Sequence, residues 1–279
     1  AADLIIVGQF AGTGDQSGVA SGSQLFNTAT MLVVGLTMGV TVFVARCMGA
    51  GEKEKAARGV GTSIVLFALV AIVGTAIMVP GSEVLTRLVH APQEAFGPTQ
   101  DYIQVCGIGM VFIVFYNVLG AIFRGLGDSR TPLFTVAVAC LFNIAGDLFL
   151  VAGLGMGAKG AAIATVIGQI MAACLSIFFN WKLNPDVHFQ FKGFRPDGGI
   201  IKGIYSVGVP SIIMGSIGSV MTFGMNQILL AFTATATAVF GIYFKLQSFI
   251  FMPVFGLNNG MVPIVAYNYG ARKPSRITA

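Results

Sequence analysis

Two carboxylates stand inside otherwise apolar stretches of the chain, Asp3 in ADLIIVG and Asp147 in LFNIAGDLFLV. A charged side chain at the middle of a bilayer costs about 3 kcal/mol or more, so such residues mark functional sites. Asn143 precedes Asp147 by four residues, a spacing that places the amide and the carboxylate on one face of a helix. These side chains could hold a proton or a small cation, as a transporter driven by an ion gradient requires.

The composition of the chain indicates that both carboxylates belong to a membrane protein. Of its 279 residues, 55% are hydrophobic and 10% are charged, and the mean hydropathy is +0.83. Soluble domains carry about 25% charged residues. The net charge of +5 comes from basic residues in short loops between apolar runs. Because nucleic-acid binding needs a basic patch on a folded face, we expect the lipid bilayer and not a nucleic acid as the partner.

Eight apolar segments account for most of the chain. A helix needs about 20 apolar residues to cross the hydrocarbon core, and it pairs its backbone groups internally. The runs do not show the alternation of transmembrane barrel strands. We therefore predict an all-α membrane protein, a polytopic helical bundle. The predicted segments are 1–11, 18–46, 60–80, 101–123, 131–153, 160–181, 204–232 and 236–266.

The basic residues are distributed unequally between the two sides of this predicted bundle. Thirteen of the 16 Lys and Arg residues lie in or beside one set of loops, whereas the other side holds only Arg87 and Lys159. Loops rich in Lys and Arg face the cytoplasm, so the first segment runs from inside to outside. We expect a multi-pass protein of the bacterial cytoplasmic (inner) membrane. The basic loops are those around 47–59, 124–131, 182–203 and 267–279.

A stretch of the second segment is repeated in the eighth. Residues 35–51, GLTMGVTVFVARCMGAG, align without gaps with residues 256–272, GLNNGMVPIVAYNYGAR, at an offset of 221. Parallel repeats of this kind are typical of transporters built from two bundles, although a chance match between Gly-rich helices is the alternative. We predict an N-terminal six-helix lobe at 1–181, a cytoplasmic linker at 182–203 and the start of a second lobe at 204–279.

Several motifs together resemble one transporter family. They include FRGLGDSRTPL at 123–133, FNIAGDLFLVAGLGMGAKGAAIATVIGQ at 142–169 and FMPVFGLNNGMVPIVAYNYGARKPSR at 251–276. The chain is similar over essentially its whole length to the MATE family, the multidrug and toxic compound extrusion transporters. The resemblance implies a twelve-helix fold of two six-helix lobes that exports organic cations and other amphipathic drugs. Export would be coupled to entry of H⁺ or Na⁺ through alternating access.

The resemblance also implies which residues bind the coupling ion. The family uses an aspartate on the first helix, an Asn and an Asp on the fifth and a Thr on the sixth, which match Asp3, Asn143, Asp147 and Thr165. Tyr116 is a less close match to a tyrosine on the fourth helix. An interior Thr also bonds its own backbone in many helices, which is the alternative for Thr165. We expect no cofactor besides the coupling ion, and no metal except Na⁺ at the Asp and Asn residues.

Further polar residues within the segments are candidates for a substrate cavity. We assign Lys245, Gln24 and Asn27 to it. Lys245 has apolar neighbours on both sides in GIYFKLQSF, and its ammonium could reach the membrane surface or point into the second lobe's cavity. Segment seven has no glutamate, although some family members carry one there as part of an ion site in the second lobe. This departure favours the first-lobe site.

Taken together, these features predict a secondary antiporter for small-molecule drugs, which is not an enzyme and is monomeric at full length. No phosphate-binding loop for ATP is present. The chain supplies at most eight of the family's twelve helices, so we expect a fragment of a transporter, and the sequence leaves open whether it transports alone. Two further readings are a flippase for lipid-linked oligosaccharides, which would need a cationic cavity, and a membrane-embedded lipid or prenyl transferase, which would need clustered carboxylates. A helical bundle that only binds partners is a third.

Overall fold

Ten α-helices make up most of the computed structural model, which describes residues 2–183, 197–230 and 234–278. No strand occurs in these ranges, so the predicted all-α fold class is confirmed. The helices are α1 (Ala2–Phe10), α2 (Thr13–Gly49), α3 (Lys53–Met78), α4 (Ser82–Leu88), α5 (Phe96–Ile108), α6 (Met110–Gly125), α7 (Arg130–Asp147), α8 (Gly157–Leu183), α9 (Gly198–Leu230) and α10 (Ala234–Gly270).

Six of these helices are long and apolar enough to cross a membrane, or seven spans if α5 and α6 are counted as one. Their outward surfaces carry large apolar side chains, such as Leu133 on α7 at 70% exposure and Phe149 just beyond it at 65%. Aqueous exposure of that much apolar surface would be unfavourable, whereas lipid accommodates it. The exposed apolar surface therefore agrees with a multi-pass membrane protein.

The predicted segment 101–123 is a bent pair of helices and not one straight helix. Helices α5 and α6 meet at Gly109 at an angle of 52°. A Cβ atom at Gly109 would lie 2.5 Å from a methyl group of Val166 on α8, so only glycine allows α8 to approach this closely. Glycine is also a weak helix former, and the break falls where both effects coincide.

The two copies of the sequence repeat end in the same way. The last turn of α2 closes with a hydrogen bond from Glu52 N to Cys47 O of 2.9 Å, and α10 closes with the matching bond from Lys273 N to Asn268 O of 3.0 Å. In both caps one residue adopts a left-handed conformation, Gly51 with φ +76° and Arg272 with φ +54°. All three pairs of positions differ by the offset of 221.

The repeated helices α2 and α10 also pack against each other. A side chain at Gly49 would collide with the carbonyl oxygen of Tyr267, and one at Gly270 would collide with the carbonyl oxygen of Arg46. Gly49 corresponds to Gly270 and Arg46 to Tyr267 in the repeat alignment. The contact is therefore reciprocal, as at an interface between two copies related by a twofold axis.

The predicted linker 182–203 overlaps two helices. Helix α8 continues to Leu183, and α9 begins at Gly198, where Asp197 accepts a hydrogen bond of 2.8 Å from Gly199 N. Residues 184–196 lie outside the described part of the chain. The division into two lobes and a linker remains a prediction.

Candidate functional site

Three helices bring Asp3, Asn143 and Thr165 into one hydrogen-bonded chain. Asn143 Nδ2 on α7 donates to Thr165 Oγ1 on α8 at 3.3 Å. Thr165 Oγ1 donates in turn to Asp3 Oδ2 on α1 at 3.3 Å. The hydroxyl of Thr165 thus links the amide of Asn143 to the carboxylate of Asp3, which is 162 positions from Thr165 in the sequence. It does not bond its own helix backbone in this structure, which was the alternative for this residue.

Asp147 completes this group from the end of α7. Its side chain is fully buried, and neither carboxylate oxygen has a hydrogen-bond partner among the described residues. Asp147 lies one helical turn beyond Asn143, the residue that is joined to Asp3 through Thr165. Asp3 is half-buried and lines a cavity. Two ionised carboxylates in one partly buried site repel each other, and burial increases the energy of this repulsion because less water screens it. A bound proton or cation would remove the repulsion.

The backbone changes its winding directly after Asp147. Residues Leu148–Gly153 form a π-helical turn that follows α7 without a gap. Such wider turns are rare, and they occur frequently at functional sites. Because the turn starts at Leu148, the carboxylate of Asp147 is placed at the junction between two helix types. The predicted segment 131–153 therefore consists of α7 plus this turn.

Two aspartates outside the site anchor the helices that carry it. Asp128, in the RGLGD motif, accepts hydrogen bonds from Arg130 N at 2.9 Å and from the Thr131 hydroxyl at 2.6 Å, and so caps the start of α7. Burial alone would raise the pKa of Asp128, but the hydrogen bonds from Thr131 and Arg130 together lower it. Asp15 on α2 accepts a hydrogen bond of 2.9 Å from Ala158 N at the start of α8.

A cavity of about 330 Å³ lies beside this group of residues. Asp3, Thr165 and Tyr116 line it together with Asn27, so four of the residues assigned from sequence meet there. Asn143 adjoins it through its hydrogen bond to Thr165. The other polar residues that line the cavity are Ser23, Thr30, Tyr102, Asn117 and Gln169.

Gln24 and Asn27 do not share a cavity. Gln24 lines a separate, mostly apolar space of about 650 Å³ between α2, α3 and α4. Positions 23, 27 and 30 fall on one face of α2, whereas 21, 24 and 28 fall on the next, because an α-helix repeats every 3.6 residues. Gln24 and Asn27 therefore line different spaces, and their assignment to a substrate cavity remains a prediction. The side chain of Lys245 lies outside the described part of the structure.

Gln169 is a site residue that the sequence analysis missed. It lines the cavity, and its buried Oε1 has no hydrogen-bond partner among the described residues. Gln169 follows Thr165 by four residues in ATVIGQ, so both face the same side of α8. That spacing is the signal that could have identified it. A glutamine oxygen is an acceptor, so it adds to the oxygen atoms that a cation could use.

The cavity has the electrostatics of a cation site. None of the described residues that line it is basic, and Asp3 gives it negative charge. Within residues 2–183, 197–230 and 234–278, no group of three or more His, Cys, Asp or Glu side chains could hold a metal ion. The donors are carboxylate, amide and hydroxyl oxygens, which suit hard cations better than transition metals. A diphosphate headgroup, which a flippase would bind, finds no cationic partner among these residues.

The fold and these residues define a multi-pass helical membrane protein with carboxylate side chains inside its helical bundle. A family model described as MatE matches residues 1–149 and 210–279. The chain belongs to the MatE family. Its relatives carry the names of exporters and transporters, so the prediction that it is not an enzyme is confirmed.

Individual relatives extend this comparison. The chain is 25% identical over 247 residues to "Multidrug export protein MepA" of Staphylococcus haemolyticus (strain JCSC1435). The aligned region covers 88% of this chain and 55% of that protein. It is also 25% identical over 236 residues to the protein of that name from Staphylococcus aureus (strain NCTC 8325 / PS 47), covering 85% of this chain and 52% of that protein. The chain thus spans about half the length of these relatives.

Solved structures share the same arrangement of helices. "Crystal structure of MATE in the bent conformation" superposes with a TM-score of 0.94 at 27% identity, over 99% of this chain and 62% of that one. "Outward-facing conformation of a multidrug resistance MATE family transporter of the MOP superfamily" superposes with a TM-score of 0.91 at 26% identity, again over 99% and 62%. The recognition of the family from sequence motifs is therefore confirmed.

Proposed function

We propose that the native-length protein exports amphipathic organic cations and related drugs from the cell in exchange for inward-moving H⁺ or Na⁺. The two relatives named as multidrug export proteins support the export of drugs. The observation that carries ion coupling is the fully buried Asp147, whose carboxylate lacks a hydrogen-bond partner among the described residues. It lies one helical turn beyond Asn143, which is joined to Asp3 through the hydroxyl of Thr165. Such a pair of carboxylates requires a neutralising ion at some stage of the cycle.

The coupling step follows from the repulsion between these carboxylates. When the site faces the outside, an entering H⁺ or Na⁺ neutralises the pair and removes the force that separates them. Helix α1 carries one member of the pair and is held to α7 and α8 by the chain of two hydrogen bonds through Thr165. Neutralisation would let α1 pack differently, which shifts the balance between two conformations and releases the drug outward.

The volume of the cavity beside Asp3 suits the coupling ion better than the drug. Its volume of about 330 Å³ is at the lower end of the range for drug-sized ligands, roughly 300–1,000 Å³. A hydrated ion fits within it. The drug would occupy a wider space elsewhere in the transporter.

The setting and assembly belong to the same proposal. The excess of basic residues on one side and the bacterial exporters among the relatives support a place in the cytoplasmic (inner) membrane. The protein works as a monomer at native length, and the coupling ion is its only cofactor. A molar mass measured by light scattering in detergent, corrected for bound detergent, would contradict this if it were twice that of one chain.

The test is a transport assay on the native-length protein in proteoliposomes. A pH gradient and a Na⁺ gradient are imposed separately, and the movement of a fluorescent cationic dye is followed. We expect one gradient to drive the dye and the Asp147→Asn variant to abolish this movement. The matched control is Asp101→Asn, the same change at an exposed carboxylate of α5. Dye movement that persists in the Asp147 variant would overturn ion coupling at this site.

A further inference from the structure

A second cavity, of about 820 Å³, lies at the C-terminal ends of α2 and α10. It shares no lining residue with the cavity beside Asp3. Both copies of the sequence repeat supply its walls, since Arg46 and Cys47 line it from α2 and Tyr269 and Gly270 line it from α10. Its polar and aromatic lining includes Arg46, Glu52, Lys55, Tyr269, Arg272 and Lys273. The proposed ion cycle uses none of these residues.

The charges in this cavity are unbalanced. Glu52 is its one acidic residue among the described lining, and it is paired with Lys55 at 3.0 Å. Arg46 lies 4.9 Å above the ring of Tyr269, a contact that holds the guanidinium in place without neutralising it. Arg272 and Lys273 are exposed and make no ion pair with the described residues. Three positive charges therefore remain for a ligand.

At the edge of the cavity, a charged residue, Arg272, occupies a backbone conformation that glycine adopts more readily. Arg272 adopts φ +54°, a left-handed conformation that L side chains rarely adopt. The corresponding residue of the first copy of the repeat is Gly51, which has φ +76° in the same type of cap. Strain of this kind persists where the side chain has a use, and the use available to Arg272 is its charge at the cavity.

The position of the cavity relative to the membrane selects the ligand. It opens on the side that holds most of the basic residues, which is the cytoplasmic side. One wall is apolar and includes Phe43, Pro274 and Ile277. Basic pockets between helices at the cytoplasmic surface suit the phosphates of anionic lipids, which are held by Arg and Lys while the glycerol backbone contacts apolar side chains.

We propose that this cavity binds the phosphate of an anionic phospholipid headgroup from the cytoplasmic leaflet. The phosphate contacts Arg46, Arg272 and Lys273, so it bridges the C-terminal ends of the two repeated helices. Bound lipid therefore holds α2 and α10 together at their cytoplasmic ends. This site goes beyond the proposed export function, and its occupancy can be measured without any transport.

The experiment measures lipid binding to the native-length transporter purified in a neutral detergent. Short-chain phosphatidylglycerol is titrated, and the rise in the unfolding temperature gives the half-saturating concentration. Phosphatidylcholine with the same chains and inorganic phosphate serve as separate probes. We expect protection by phosphatidylglycerol alone. Equal protection by phosphatidylcholine would overturn a charge-based site, and equal protection by inorganic phosphate would overturn the assignment to a lipid.

Two variants place the binding at this cavity. Arg272→Gly installs the residue of the first repeat copy, relieves the left-handed backbone and removes one charge, so it should fold well. We expect it to weaken binding about fivefold, and Arg272→Gly with Lys273→Gln to weaken it about 30-fold. The control, Arg58→Gln with Lys202→Gln, removes two exposed charges on the same side outside the cavity. Unchanged binding in the Arg272 variants, or an equal loss in the control, would overturn the proposal.

Discussion

Replacing Thr165 by valine tests the hydrogen-bonded chain and also distinguishes the two coupling ions. The change keeps the shape of the side chain but removes the hydroxyl that donates to Asp3 and accepts from Asn143. Both bonds are 3.3 Å long, at the weak end of the range, so we assign the lost bond to the carboxylate about 1 kcal/mol. That energy corresponds to about a fivefold change in an equilibrium constant.

The direction of the change depends on which ion drives transport. In a proton-driven transporter, the ionised form of Asp3 loses a donor, so the site binds H⁺ more readily. The half-activating proton concentration should then fall about fivefold, and activity should extend to higher pH. In a Na⁺-driven transporter, the ion loses an oxygen ligand, so the half-activating Na⁺ concentration should rise by a similar factor.

The assay is the initial rate of dye movement in proteoliposomes, measured over a series of pH values and a series of Na⁺ concentrations. Thr165→Ser is the matched control because it retains the hydroxyl, and it should follow the unmodified protein. A Thr165→Val variant with unchanged half-activation for both ions would refute the role given to this hydroxyl. A serine variant that shifts as much as the valine variant would assign the effect to packing instead.

Two further predictions concern the stability of the helices that position the site. Gly49→Ala should destabilise the protein by about 1–3 kcal/mol because its methyl group collides with the carbonyl of Tyr267. Gly256→Ala should be close to neutral in the same thermal denaturation experiment, because no atom of the described residues outside its own stretch of helix lies within 4 Å of the added methyl group. Asp128→Ala should cost about 1 kcal/mol at neutral pH through loss of the α7 cap. The pKa of Asp128 is lowered in the folded protein. The difference in stability between the variant and the unmodified protein should therefore be fully present above the carboxyl's ordinary pKa, and it should shrink as the pH falls through the lower native pKa. A difference in stability that grows in acid would contradict the cap.

Local patterns in the sequence determine much of the site and the fold. The four-residue spacing of Asn143 and Asp147 sets both on one face of α7, because the helical period depends only on neighbouring residues. The apolar runs predict the spans because an unpaired backbone is costly in lipid. The gapless repeat predicts that α2 and α10 end alike, and their caps do match hydrogen bond for hydrogen bond.

Contacts between distant parts of the chain depend on the tertiary structure. The meeting of Asp3 with Thr165, the bend at Gly109 and the separation of Gln24 from Asn27 all depend on which helices pack together. So does the basic cavity, whose walls come from residues more than 200 positions apart. A sequence records which face of a helix is polar or small, whereas the partner of that face is selected by the combined packing of all the helices. For this reason the sequence by itself determined the kinds of residue that form the sites, and the tertiary structure decided which of them come together.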